Sequence, residues 1–308
     1  MNAASILFAT DLSGSARQCH PLAAALVKAL GAHLTVLHVD DTAHEQLDPV
    51  TELHAYLDML SRFRRLRVEQ LDSDFAALGV VPRFIIERGK PERVIDAFSR
   101  EHDVGLLLMG QHSRRGAMRK LLGSTTNRVM HLTDLPVLVV PVDDDLPESA
   151  PAMGAARFST VLVPTDLTDT CGRAIRAALD LAGQIHARVH VAHALSLPTF
   201  VPVAAGEGYA VSTAEPLARR EGHYRDHLGA HVSREARGHE VTSSLVVSQS
   251  VVAGILEEAA RIGADLIVVP STGKGAVARF FLGSVTEALV KHSSVPVMVL
   301  PPPYLAAW

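Results

Sequence analysis

The sequence predicts a duplicated α/β protein built on parallel sheets. Three observations carry that expectation: a long-range internal repeat, strict alternation of apolar strands with segments of helical period, and one glycine-bearing loop that occurs twice. The repeat is the most informative. Ile6-Leu7-Phe8-Ala9-Thr10-Asp11-Leu12-Ser13 aligns with Val161-Leu162-Val163-Pro164-Thr165-Asp166-Leu167-Thr168 at an offset of 155, and the register holds as far as His38 and His193. Later in each half the offset is 160, pairing Gly123-Ser124 with Gly283-Ser284 and Pro136-Val137 with Pro296-Val297. The repeated unit is about 150 residues, an ordinary domain size.

In chain order, short aliphatic or β-branched runs predict strands at Ser5–Thr10, His33–Val39, Val81–Glu87, Val104–Gly110 and Pro136–Val140. Between them, helical periodicity predicts helices near Ser15–Leu30, Thr51–Leu78, Pro91–Glu101 and Ser124–His131. Pro91 stands in a first helical turn, where a missing N–H costs little. The second unit repeats the pattern, with strands at Thr160–Thr165, Arg188–Ala194, Val241–Val247, Asp265–Val269 and Val297–Leu300. Nearly continuous apolar strands alternating with helices imply a parallel sheet buried on both faces, with right-handed crossovers. The domains are expected at 1–142 and 157–303, joined by an acidic, proline-bearing linker of about residues 143–156. The halves differ most in Ser196–Glu215, a long stretch with little periodicity that is either a lid over a site or a mobile loop.

Composition narrows the function. At 308 residues and 48% hydrophobic, the chain can bury two cores. A net charge of −4 gives no global electrostatic case for nucleic acid or an anionic membrane. Two cysteines, Cys19 and Cys171, argue against a disulfide framework and suit a reducing compartment. No apolar run approaches the ~20 residues that span a bilayer, and the amino terminus has no basic leader, so the expected location is the cytoplasm.

The chemistry concentrates where the strands end. Open parallel sheets bind ligands beyond the carboxyl ends of their strands, and helix N-termini there favour phosphate. Asp11 and Asp166, each closing a first strand, can accept a hydrogen bond from a ligand or cap the following helix, and both roles can hold together. The repeated loop runs from Gly110-Gln111-His112-Ser113 to Gly123-Ser124-Thr125-Thr126 in the first half. In the second it runs from Pro270-Ser271-Thr272-Gly273 to Gly283-Ser284-Val285-Thr286. Its glycines allow close backbone approach, and the serines stand at a helix start. The alternative is a glycine turn that needs no ligand. Arg114, Arg115, Arg119 and Lys120 flank the first loop, Lys274 and Arg279 the second.

Other motifs are weaker. His223, His227 and His231 fall on one helical face, where a neighbouring pair could share zinc, but no cysteine or carboxylate of ligand spacing completes a set. A solvated row is the favoured reading, with His223 and His227 the only metal candidates. His38 and His193 are expected to pack near the sheet. No nucleophile elbow and no local Ser/His/Asp signal is present.

The Thr-Asp-x-Ser/Thr opening, the loop of form Gly-x2-Gly-x9-Gly-Ser and the closing Pro-Val-x-Val-x strand resemble the universal stress protein family in its tandem form. The resemblance implies two flavodoxin-like (adenine nucleotide alpha hydrolase-like) domains. Each would be a five-stranded parallel sheet flanked by helices, packed about a pseudo-two-fold axis through the last strands. It further implies ATP, with or without magnesium, held by Asp11, Val39, Gly110, Gly123, Ser124 and Thr125. Matching positions in the other half are Asp166, Ala194, Gly273, Gly283, Ser284 and Val285. Both copies depart from the motif. Ser113 replaces the second glycine in the first copy, keeping its N–H but adding a Cβ; Pro270 replaces the first glycine in the second, removing an N–H. The first site therefore ranks ahead. Some family members hydrolyse ATP slowly or autophosphorylate; the residues here give no separate signal for either. The expected function is an ATP-responsive regulatory module for stress response, acting as a monomer with an internal pseudo-dimer or as a homodimer, with protein partners. The rival expectation is a scaffold that binds no nucleotide and works through those partners alone.

Overall fold

The structure, a computed structural model, describes residues 4–41, 51–111, 122–143, 158–196, 217–272 and 282–308. The first half runs β1 (Ser5–Thr10), a 3-10 turn (Ser15–Cys19), α1 (His20–Leu30), β2 (His33–Asp40), α2 (Thr51–Ala77), β3 (Arg83–Arg88), α3 (Pro91–Glu101), β4 (Leu106–Gln111), α4 (Ser124–Leu132) and β5 (Val137–Pro141). The second runs β6 (Thr160–Pro164), α5 (Asp169–Ile185), β7 (Arg188–Ser196), α6 (Leu217–Ala236), β8 (Val241–Ser248), α7 (Val251–Ile262), β9 (Leu266–Pro270), α8 (Ser284–His292) and β10 (Val297–Leu300), then a short α9 (Pro302–Leu305).

Two boundary differences from the sequence expectation trace to proline. A single helix over 15–30 is broken because Pro21 lacks an N–H and its ring would strike the carbonyl of Arg17. The chain therefore turns once in 3-10 geometry before α1 begins, with Pro21 in its first turn. The third strand starts at Arg83, not Val81, just after Pro82, which cannot donate to a ladder.

All ten strands form one sheet in the order β3-β2-β1-β4-β5-β10-β9-β6-β7-β8. Every neighbouring pair is parallel except β5 and β10. That antiparallel pair, with Met298 opposite Leu138, joins the two flavodoxin-like halves. The central strands are buried on both faces because helices cover both, whereas the edge strands β3 and β8 are half-buried or exposed. On β1, Ile6 and Phe8 face a core shared with Leu22, Leu26 and Phe75, while Leu7 and Ala9 face one shared with Ile95, Phe98 and Val129. At ~25 cal/mol per Å², burial of such aliphatic and aromatic side chains contributes about 1.5–3 kcal/mol each. Both cores run across the joint: the first includes Val161 and Ile175, the second Ile267 and Leu289.

Candidate functional site

In each half the strand order reverses beside the first strand, between β1 and β4 and between β9 and β6. Such switch points leave a crevice at the carboxyl edge. In the first half the crevice is a cavity lined by Thr10, Asp11, Val39, Gly110, Thr125 and Thr126 at its mouth, with Leu37, Ile95 and Met109 among its apolar walls. Its empty space, counting the part open to solvent, is about 610 Å³, so it is a shallow crevice and not an enclosed chamber.

The mouth is shaped by local chemistry. The Thr10 hydroxyl accepts the Leu12 N–H at 3.0 Å, and Thr165 does the same for Leu167 at 3.0 Å. These bonds support a left-handed leucine in each half, φ 61° at Leu12 and φ 66° at Leu167. A bulky residue rarely holds that conformation, and it sharply turns the chain at the strand's end. Asp11 Oδ1 accepts the Ser13 N–H at 3.0 Å, and Asp166 Oδ1 accepts the Thr168 N–H at 3.1 Å. Neither aspartate caps the following helix, since Thr168 is the N-cap of α5 and Gly14 that of the 3-10 turn; each closes a tight turn at the strand's end, which in the first half coexists with a place in the cavity wall. His38 Nδ1 donates to the Thr10 carbonyl at 2.9 Å, and His193 Nδ1 to the Thr165 carbonyl at 2.7 Å, so both histidines brace the strand ends.

The far side of the mouth is the start of α4. Gly123 is its N-cap, with extended ψ (137°) and no side chain to satisfy the first-turn N–H groups. By contrast, α5 and α7 are capped by Thr168 and Ser250, which accept from Cys171 and Ala253. Thr126 donates its hydroxyl to the Gly110 carbonyl at 3.0 Å, fixing the helix start against the end of β4. A Cβ on Gly110 would meet Val142 at 3.5 Å and Cys19 at 3.7 Å, ordinary contacts, so the backbone itself does not demand glycine there. What glycine provides is space, since Gly110 is part of the cavity wall.

The second half repeats the scaffold with a more filled edge. Thr286 donates to the Pro270 carbonyl at 2.9 Å, as Thr126 does to Gly110. Gly283 again caps its helix without a side chain. Here, however, the Gly283 N–H is used by the Ser271 carbonyl at 2.7 Å, and Thr165, Pro270, Ser271 and Thr272 are all buried. Ala194 is half-buried beside the second core and Val285 is exposed.

Of the expected site residues, the structure brings Asp11, Val39, Gly110 and Thr125 to one cavity, with Gly123 and Ser124 immediately before Thr125 at the helix start. Ser113, Gly273 and the flanking basic residues Arg114, Arg115, Arg119, Lys120, Lys274 and Arg279 lie outside the described residues, as does 197–216. Thr10, Pro91, Ile95, Met109 and Thr126 were not anticipated. Thr126 was findable, because the duplication repeats a threonine at the same place, Thr286. The others are wall residues supplied by neighbouring elements, which no local motif marks.

The three histidines do not form one solvated row. His223 and His227 are exposed, with ring centroids 4.0 Å apart. His231 is not solvated: it is buried, with Nε2 3.3 Å from the Thr165 hydroxyl and Nδ1 accepting from Arg234 at 3.0 Å. The α6 face turns inward at that point alongside Leu228 and Val232. Among the described residues, no group of three His, Cys, Asp or Glu side chains is placed to hold a metal. No described helix is long and apolar enough to cross a membrane. Both cysteines are buried thiols; burial, with Asp166 nearby, pushes Cys171 up to about 12 and Cys19 higher still.

Fold and site together define a tandem pair of flavodoxin-like domains with a partly apolar crevice at one switch point. Residues 3–141 and 157–301 each match the universal stress protein family. The chain belongs to that family. A universal stress protein of Methanocaldococcus jannaschii is 30% identical over 151 residues, which are 49% of this chain and 86% of that protein. One from Mycobacterium bovis is 28% identical over 207 residues, 64% of this chain and 62% of that protein, so the match spans under two thirds of that relative. A solved universal stress protein from Archaeoglobus fulgidus covers 96% of both chains with a TM-score of 0.64 at 23% identity, a likeness of fold.

Proposed function

We propose that this chain is an adenine-nucleotide-responsive regulatory module that binds ATP in the first half. The observation that carries the reading is the first-half cavity: apolar walls meeting, at one mouth, a carboxylate and a helix N-terminus whose glycine N-cap has no side chain to cap it. Leu37, Val39, Ile95 and Met109 offer the apolar surface that a planar base prefers. Asp11 is placed to accept from a ribose hydroxyl or an exocyclic amine. The first-turn N–H groups of α4, with the positive end of its dipole and the Ser124 and Thr125 hydroxyls, suit phosphate oxygens, which would carry magnesium where it is present. The filled edge around Pro270 supports ranking the second half behind the first.

The test is a thermal titration of the purified protein with ATP, joined to mass spectrometry of denatured protein for co-purified nucleotide. A ligand at 100 times its Kd stabilises by about 2.7 kcal/mol, so millimolar ATP should raise the melting temperature measurably. Asp11→Ala and Gly123→Val should abolish the rise without unfolding the chain. A flat titration and no co-purified nucleotide would sink this reading in favour of a scaffold working through protein partners.

A further inference from the structure

At the opposite end of the second half lies a cluster that the cavity does not use. His190 on β7 stands directly beside Thr242 on β8, and the buried Glu258 on α7 bonds His190 and Ser244. His190 Nδ1 is 2.8 Å from the Thr242 hydroxyl, and its Nε2 is 3.0 Å from Glu258 Oε1 and 2.8 Å from the Ser244 hydroxyl. Arg261 grips the carboxylate with two bonds of 2.6 Å, and Ser244 donates to it as well. The Arg261 guanidinium holds the Glu258 carboxyl down at about 2, against the effect of burial, so it is ionised at neutral pH. Burial pushes the His190 imidazole below its usual value against the pull of Glu258, so the ring is neutral. These two facts fix the tautomer. An ionised carboxylate only accepts, so Nε2 carries the ring proton and Nδ1 is the bare lone pair. The Thr242 hydroxyl must then be the donor to Nδ1. His190 and Glu258 are buried, while Thr242 is exposed at the sheet edge. The fold does not require the set: by strand register and repeat, Thr35, Arg83, Ile85 and Phe98 fill the places of His190, Thr242, Ser244 and Glu258 in the first half.

We propose that Thr242, His190 and Glu258 form a hydroxyl–imidazole–carboxylate relay that makes Thr242 a self-acylating site for activated acyl esters. A nucleophile within hydrogen-bond reach of a base that is itself oriented by a third group is the arrangement that activates serine and threonine hydroxyls. In the step, Thr242 Oγ bonds to the acyl carbon and its proton passes to His190 Nδ1. The ester's C–O bond breaks, the phenolate or alkoxide departs with the electron pair, and the imidazolium releases its proton to water. Glu258 holds the imidazole in register and favours its charged form. The reaction is a single modification of the chain and needs no redox partner.

The probe is p-nitrophenyl acetate, with acetyl groups mapped by peptide mass spectrometry over time. Ser243, the adjacent exposed hydroxyl on the other face of the same strand, is an internal control in the wild-type protein. General-base assistance contributes about 10²–10⁴-fold, so Thr242 should be acetylated at least about 100 times faster than Ser243. Thr242→Ser should keep the fast phase, and Thr242→Val and His190→Gln should lose it. Labelling of Thr242 no faster than Ser243, or a folded His190→Gln protein that labels like wild type, overturns the proposal.

Discussion

At the scale of single residues, the duplication supplies its own controls. Gly31 and His186 occupy the same place, the left-handed residue that ends the helix before the second strand of each half, with φ 62° and φ 57°. Glycine adopts this conformation freely, whereas a residue with a Cβ is strained there by about 1–2 kcal/mol. Glycine also loses more backbone entropy on folding, about 0.5–1 kcal/mol. The His186 side chain is exposed, so little packing is at stake. Relief of strain therefore wins by a small margin: His186→Gly should raise stability by about 0.5–1 kcal/mol, seen as a higher denaturation midpoint at unchanged slope. A lower midpoint would mean that the imidazole makes a stabilising contact. The same comparison explains what could be read at this scale from sequence. Asp11 stood out because it closes a strand and repeats as Asp166, while Gly110 and Thr125, whose counterparts are Pro270 and Val285, were marked by the family motif and not by repetition. The His190, Thr242 and Glu258 set was not, because its members are 52 and 68 residues from His190 and have no counterpart in the first half to align with.

At the scale of elements, α4 distinguishes a binding role from a structural one. Its N-cap glycine has φ −56° and ψ 137°, a conformation that any capping residue adopts. Aspartate at this position would satisfy a first-turn N–H and add a favourable charge at the positive end of the dipole. Helix stability should rise by about 0.5–1 kcal/mol. If the same N–H groups receive phosphate, that carboxylate competes with it and repels it. Gly123→Asp is therefore expected to increase thermal stability while weakening ATP binding at least tenfold, measured by unfolding without ligand and by titration. Stabilisation with unchanged affinity would place the phosphates elsewhere. Elements were also where the sequence reading met its limits. Apolar runs located the central strands, because strands buried on both faces leave a strong compositional signal, and alternation with helical segments located the more exposed edge strands β3 and β8. The break before α1 was missed because Pro21 is tolerated once a new helix starts there, a choice settled by the packing of Leu22 and Leu26 onto the sheet and not by local preference.

At the scale of the whole molecule, the joint between the halves is asymmetric. The strands β5 and β10 pair about a near-two-fold arrangement, but the side chains beside them do not repeat. Gln111, at the end of β4, is buried and donates Nε2 to the carbonyls of Val290 and Lys291, both at 2.8 Å, so that it caps the C-terminus of α8 in the other half. Its counterpart Ser271 is too short for the reciprocal reach and instead bonds the start of α8 through its own backbone carbonyl. Helix α8 is thus held at its N-terminus by its own half and at its C-terminus by the residue that follows Gly110 in the other. With both hydrophobic cores continuous across the sheet, the two halves should unfold as one unit despite being separate family repeats. Removing the amide leaves one buried and one half-buried helix-end carbonyl with one fewer donor, a loss of about 1–3 kcal/mol. Gln111→Ala should therefore lower the denaturation midpoint accordingly while keeping a single transition by near- and far-ultraviolet circular dichroism. The shared cores, not the capping bond, supply most of the coupling, so the slope should stay at the wild-type value. A reduced slope or two separated transitions would show the reverse: that Gln111 is what makes the pair of domains behave as one.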